Sequence, residues 1–170
     1  MTVTEAIRAR RSIRRYKDGE ISDEHLKLIL EAAMCCPSAR NMRPYEFKVV
    51  KSAEMRRELS ALSANFKMLA TAACTVIVCG RPDLEEGMGH EFWQQDCSAA
   101  TENILLQATE LGYGSCWCGT YPVPERMAGV KRVLGITDEN CVPFSLIALG
   151  IADEAPAARG FYDESRVKYY

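Results

Sequence analysis

The sequence predicts one globular domain in which helices and strands alternate, and three observations carry that expectation. Apolar residues recur at spacings of three and four in several stretches; the longest, 91–111, places Trp93, Cys97, Ala100, Ile104, Ala108 and Leu111 on one stripe. Two mostly apolar runs, 75–79 and 144–149, have strand length and no helical period. The composition, 48% hydrophobic and 26% charged over 170 residues, is that of an ordinary globular chain.

Taken in order, Thr2 and Glu5 have the spacing of a capping box, and Val3, Ala6 and Ile7 share a helical face before the basic run 8–15. A short first helix therefore ends among arginines. Ser22 caps a second helix, with Asp23 and Glu24 at its positive end, Leu26, Ile29, Leu30 and Ala33 as its core stripe, and Pro37 closing the segment. A loop is expected between Pro37 and Pro44. Residues 45–50 read as a strand and 52–62 as a helix with Met55, Leu59 and Leu62 inward. After the buried strand at 75–79, the long helix ends at Gly112, a short strand covers 115–118, and Pro124 opens a helix over 124–134. The strand at 144–149 is the last. Beyond Ile151 the chain carries Phe161, Tyr162, Tyr169 and Tyr170 without any period, and these aromatics favour an arm packed on another surface over a frayed end. No repeat or linker divides the chain, so residues 1–170 are expected to form a single domain with 151–170 as its arm.

Twenty-one Lys and Arg against twenty-three Asp and Glu leave a net charge of -2, which disfavours a nucleic-acid partner. A domain of this length buries roughly 70% of the surface of its unfolded chain and needs no disulfide to hold a core. Eight cysteines fall below the density of disulfide scaffolds, and the opening MTVTEAIRARR lacks an apolar signal segment, so a reducing cytoplasm is expected. No run approaches the ~18 apolar residues of a membrane helix.

The five arginines at positions 8, 10, 11, 14 and 15 are too many for a core. Two readings stay open: a solvated helix end complementing the macrodipole, or a phosphate clamp in which planar guanidinium forks and the Ser12 hydroxyl converge. A nucleic-acid reading lacks Lys-rich flanks and stacking aromatics. With only His25 and His90 and no C-x-x-C pair, no metal site is expected. Cys116-x-Cys118 puts two thiols on one side of a strand and Cys35 adjoins Cys36, which allows a redox role, although the reading as buried small hydrophobes is preferred. Neither histidine adjoins a nucleophile elbow. Neither G-x-G-x-x-G nor a P-loop occurs, so any bound nucleotide must be held by side chains.

Three segments in order, Arg10-Arg11-Ser12-Ile13-Arg14-Arg15-Tyr16, Pro37-Ser38-Ala39-Arg40-Asn41-Met42-Arg43-Pro44 and Leu111-Gly112-Tyr113-Gly114-Ser115-Cys116-Trp117-Cys118-Gly119, resemble the nitroreductase family of FMN-dependent oxidoreductases. The similarity extends over the whole chain. It implies an α+β sandwich, a central mostly antiparallel sheet flanked by helices, assembled as a homodimer with two FMN sites at the interface. It also implies that Arg10, Arg11, Ser12 and Arg14 hold the FMN phosphate and ribityl chain. Pro37, Ser38, Ala39 and Asn41 would reach the flavin of the neighbouring subunit, while Trp117, Cys118 and Gly119 pass beneath the ring. Asn65 and Lys67 resemble residues near the pyrimidine edge, and Arg159 one that returns to the phosphate.

The activity implied is passage of a hydride from NADH or NADPH through flavin N5 to an electron-poor small molecule such as a nitroaromatic or quinone, in alternating half-reactions. No protein acid or base is required, so no catalytic residue is expected. A positive group stabilises the charge left near flavin N1, and Lys67 is the candidate, with an exposed helix lysine as the alternative. Other functions compatible with the resemblance are flavin storage without turnover and a specialised reduced-flavin reaction such as dehalogenation or flavin cleavage. The chain departs from many relatives in carrying Arg43 in place of a neutral residue and in being shorter between Gly80 and His90. A local bridge for Arg43 is preferred over capture of an anionic substrate.

Overall fold

Hydroxyl caps start the first three helices. In the computed structural model, which describes residues 1–84, 87–158 and 160–170, the Thr2 hydroxyl accepts from the Glu5 amide at 3.2 Å and the Glu5 carboxylate accepts from the Thr2 amide at 2.7 Å. That closed capping box begins α1 (Val3–Ala9). Ser22 and Ser52 cap α2 (Asp23–Met34) and α3 (Ala53–Ala61) through the amides of His25 and Met55. The stripe read from the sequence becomes α4 (Trp93–Glu110), and α5 (Pro124–Leu134) begins on proline and ends at Gly135, whose φ of 65° is one that glycine adopts without strain.

Among the described residues five strands, β1 (Tyr16–Lys17), β2 (Tyr45–Val50), β3 (Cys74–Gly80), β4 (Gly114–Gly119) and β5 (Val142–Ala152), form one sheet. Every ladder in it is antiparallel. β5 is the hub, pairing with β3 from Leu149 to Val142, with β4 from Gly150 to Ser145, and with β1 at Ile151 and Ala152; β2 lies on the other side of β3.

Both faces of this sheet are covered. Val76 and Val78 of β3 and Ile147 and Leu149 of β5 point to the layer of α2 and α4, where they meet Ile29, Ala33, Cys97 and Ile104. The alternate residues Ile77, Cys79, Leu146 and Ala148 meet Leu59, Phe66, Leu69 and Val130 in a second core beneath α3, α5 and the 3-10 segment Ala64–Ala70. Burial on both faces is why β3 and β5 read as mostly apolar runs, broken only by the buried hydroxyls of Thr75 and Ser145, although the sheet is antiparallel.

The expected α+β sandwich is therefore the observed one, with differences at its edges. β3 and β5 extend beyond 75–79 and 144–149, and β1 was not anticipated. The segment 64–70 winds as a 3-10 helix begun by Ser63, whose hydroxyl accepts from the Asn65 amide. Apart from a 3-10 turn at Glu164–Arg166, described residues beyond Ala152 form no helix or strand, and Phe161, Tyr162 and Tyr169 are 74–87% exposed. Among the described residues no helix is long and apolar enough to cross a membrane.

Candidate active site

After α1 the chain turns along the sheet instead of into solvent, because Ile13 is buried and anchors it. The Ile13 amide donates to Ser115 O at 2.9 Å, and Ser12 bridges Ser115 in parallel. The Tyr16 hydroxyl, buried beneath, donates to Ile13 O at 2.8 Å; burial pushes that hydroxyl's pKa far up, so it stays protonated. Gly114 permits the approach, since a Cβ there would lie 2.9 Å from Ile13 Cγ2. The Glu154 carboxylate receives the Arg14 and Arg15 amides at 2.5 and 3.2 Å, and these bonds hold its pKa below the usual carboxylate range.

With the backbone fixed in this way, the basic side chains frame a cavity of about 440 Å³ lined by Arg10, Arg11, Ser12 and Arg14 on one side and by Glu154 and Pro156 on the other. Arg11 Nε is buried and has no hydrogen-bond partner. Arg10 Nε lies 3.4 Å from Glu102 Oε1, a partly exposed pair that contributes little.

Arg14 also belongs to a second cavity of about 360 Å³, whose floor is β4 at Cys116, Trp117, Cys118 and Gly119 and whose wall includes Asn65 and Met68. The Cys116 and Cys118 side chains share a face, as the strand reading expected, and both are buried. A hydrogen bond with Cys118 holds the Cys116 pKa below the ordinary thiol range against the opposing effect of burial, with the Arg14 charge assisting. The same bond, together with burial, pushes Cys118 up.

Arg126, on the first turn of α5, is a lining residue the sequence reading missed. Its Nη1 donates to Gly119 O at 2.7 Å and its guanidinium lies 5.1 Å over the Phe66 ring. No motif marks it: the bond to Gly119 crosses only the turn between β4 and α5, and it is the folded contact with Phe66 that shows the side chain turning inward. Lys67 is exposed and lines neither cavity, while its neighbours Phe66, Met68 and Leu69 are buried. Arg159 lies outside the described residues.

The loop after α2 is held separately. The Ala39 amide donates to both carboxylate oxygens of buried Asp96 on α4, at 3.1 and 3.2 Å, and the Arg43 amide donates to Ser38 Oγ at 3.0 Å. Arg40, Asn41 and Arg43 take φ values of 52–59°, a left-handed region costly for non-glycine residues. Arg43 Nε donates to Asn41 Oδ1 at 3.2 Å, so its local partner is a neutral amide where an ionic bridge was expected. Within this chain, Pro37, Ser38, Ala39 and Asn41 line neither cavity that Arg14 joins. Removing the Asp96 carboxylate leaves the Ala39 amide without its acceptor. Asp96→Ala is expected to cost about 1–3 kcal/mol and to speed hydrogen exchange at Ala39. Unchanged exchange there would show that Asp96 does not hold the loop.

The sequence model of the nitroreductase family matches residues 7–67 and 62–151. A protein of Methanothermobacter thermautotrophicus, provisionally named NADH dehydrogenase/NAD(P)H nitroreductase, is 44% identical over 167 residues, covering 98% of this chain and 86% of that one. A crystal structure from Bacteroides thetaiotaomicron with the same provisional name superposes with a TM-score of 0.92 at 33% identity, over 98% of this chain and 96% of the other. A nitroreductase-type structure from Desulfovibrio desulfuricans, determined in complex with FMN, gives 0.81 at 28% identity, over 99% and 96%. Sequence motifs, sheet topology and these matches agree along nearly the whole length, and the chain belongs to the nitroreductase family.

Proposed function

We propose that this oxidoreductase binds FMN across the two cavities that share Arg14. That junction is the observation that carries the reading, because it joins a cationic compartment to a flat-floored polar one, as a ligand with a dianionic end and a planar ring requires. The residues fit the group: Arg10, Arg14 and the orphaned Arg11 Nε offer charged donors, and Ser12 adds a hydroxyl. Asn65 and the β4 segment Trp117–Gly119 flank the ring compartment. The FMN complex of the Desulfovibrio relative supports the same reading.

Bound FMN supplies a centre that takes a hydride from NADH or NADPH and delivers it to an electron-poor small molecule such as a nitroaromatic or quinone. The protein binds and orients. Arg10, Arg11 and Arg14 neutralise the phosphate, Ser12 adds a hydroxyl donor, and Met68 and the buried thiols exclude water from beneath the ring. No side chain is assigned a proton transfer. The active unit is a homodimer in which Pro37, Ser38, Ala39 and Asn41 of one subunit approach the flavin of the other, and in which the arm beyond Ile151 covers the partner. Exposed Val3 and Ile7 on α1 and the exposed arm aromatics support this assembly. All eight cysteines are unbridged, which supports a cytoplasmic location.

Titration of FMN and riboflavin into wild type and Arg10→Ala tests the phosphate compartment. Loss of one hydrogen bond to a charged group should weaken FMN binding by about 10- to 150-fold and leave riboflavin nearly unchanged. Equal losses for both flavins would make Arg10 a structural helix-end residue.

A further inference from the structure

At the end of the sheet where β2 begins and β5 enters, three neighbouring strands bring together donors that are far apart in sequence. Glu46 of β2 is the direct ladder partner of Cys79 of β3, and Cys79 faces Pro143, two residues past Cys141. One carboxylate oxygen of Glu46 and the sulfurs of Cys79 and Cys141 all lie within 4.8 Å of one another. Both thiols are buried, at 0% and 1% exposure. A cavity of about 370 Å³ opens beside them, lined by Glu46, Lys48, Asp138 and Cys141, and it shares no lining residue with the two cavities that meet at Arg14.

We propose that Glu46, Cys79 and Cys141 form a binding site for a thiophilic divalent cation of the zinc class, separate from the flavin site. Two thiolates and a carboxylate supply three corners of a tetrahedron, and water from the adjoining cavity supplies the fourth. Zn–S bonds of ~2.3 Å place two ligating sulfurs ~3.8 Å apart, a spacing compatible with this cluster.

The surrounding charges suit the loaded site. Two thiolates, a carboxylate and a divalent cation sum to one negative charge, and Lys48 Nζ and Arg81 Nη1 stand 3.1 and 3.6 Å from the two Glu46 oxygens to balance it. The cation would pin the ends of β2, β3 and β5 together.

Cobalt(II) titrated into the purified flavin-loaded protein tests the site. One cobalt per chain is expected, with the intense ligand-field absorption of tetrahedral thiolate coordination to the red of the flavin band, and zinc should displace it. Cys141→Ser should weaken binding by at least ~100-fold, since losing even a partner outside the ligand set costs 10- to 100-fold. Absence of the band in wild type, or its persistence in folded Cys141→Ser, would overturn the proposal. Should that variant fail to fold, wild type decides alone. Zinc should slow alkylation of Cys79 and Cys141 while leaving exposed Cys35 as reactive as before, and equal rates at all three with and without zinc would be equally fatal.

Discussion

Phe66→Ala is expected to lower stability by about 3–5 kcal/mol, the cost of removing a large buried aromatic and leaving a void. In a chain of this size that corresponds to a fall of roughly 6–20 °C in Tm. Phe66 is fully buried in the core beneath α3 and α5, and the Arg126 guanidinium rests on its ring. It also sits between Asn65 and Met68, both of which line the compartment above β4, so the same truncation should loosen flavin binding. Phe66→Leu keeps most of the volume and should cost less than about 1.5 kcal/mol. Thermal unfolding of the three proteins at one concentration, without added flavin, makes the comparison. An alanine variant within about 3 °C of wild type would mean that the core relaxes around the gap.

The second large effect is expected from Arg14→Glu. Arg14 is the residue that touches both compartments, and reversing its charge removes an attraction and adds repulsion toward the phosphate. The lost bond alone accounts for up to ~150-fold, and like charges in contact add several kcal/mol, so FMN affinity should fall well beyond that factor. Riboflavin should lose far less. The bond to Glu154 is made by the Arg14 amide and is open to any residue, and Ile13 anchors the same segment on Ser115, so the fold is expected to survive the change. Retention of FMN within tenfold of wild type would remove Arg14 from the phosphate site.

Much of the fold was legible where the signal is local. Thr2, Ser22 and Ser52 marked helix starts because a short hydroxyl side chain satisfies amides only a few residues ahead. The buried strands announced themselves by apolar runs. β1 did not, since two residues with one inward Tyr16 carry no period and exist only because β5 extends far enough to pair with them. The arginine segment was legible as chemistry but not as a place: what aims it is Ile13 docking on Ser115 through the gap at Gly114, a contact across a hundred residues. Glu46, Cys79 and Cys141 were silent for the same reason. Their neighbours are set by strand register and helix packing, and no spacing along the chain encodes them.

The position of β5 has a consequence for biosynthesis. Among the described residues, β1 pairs with β5 alone, and β4 has only the Ser12 bridge besides it, yet β5 is the last strand to leave the ribosome. The first half of the nascent chain can assemble β2 against β3, but one edge of β3 stays open until residues 142–149 arrive. At ~5–20 residues per second the intervening stretch takes several seconds to make. The sheet, and with it the floor on which the arginines are mounted, therefore closes in one late event, and a chain stalled before β5 presents an unpaired apolar strand to chaperones and proteases.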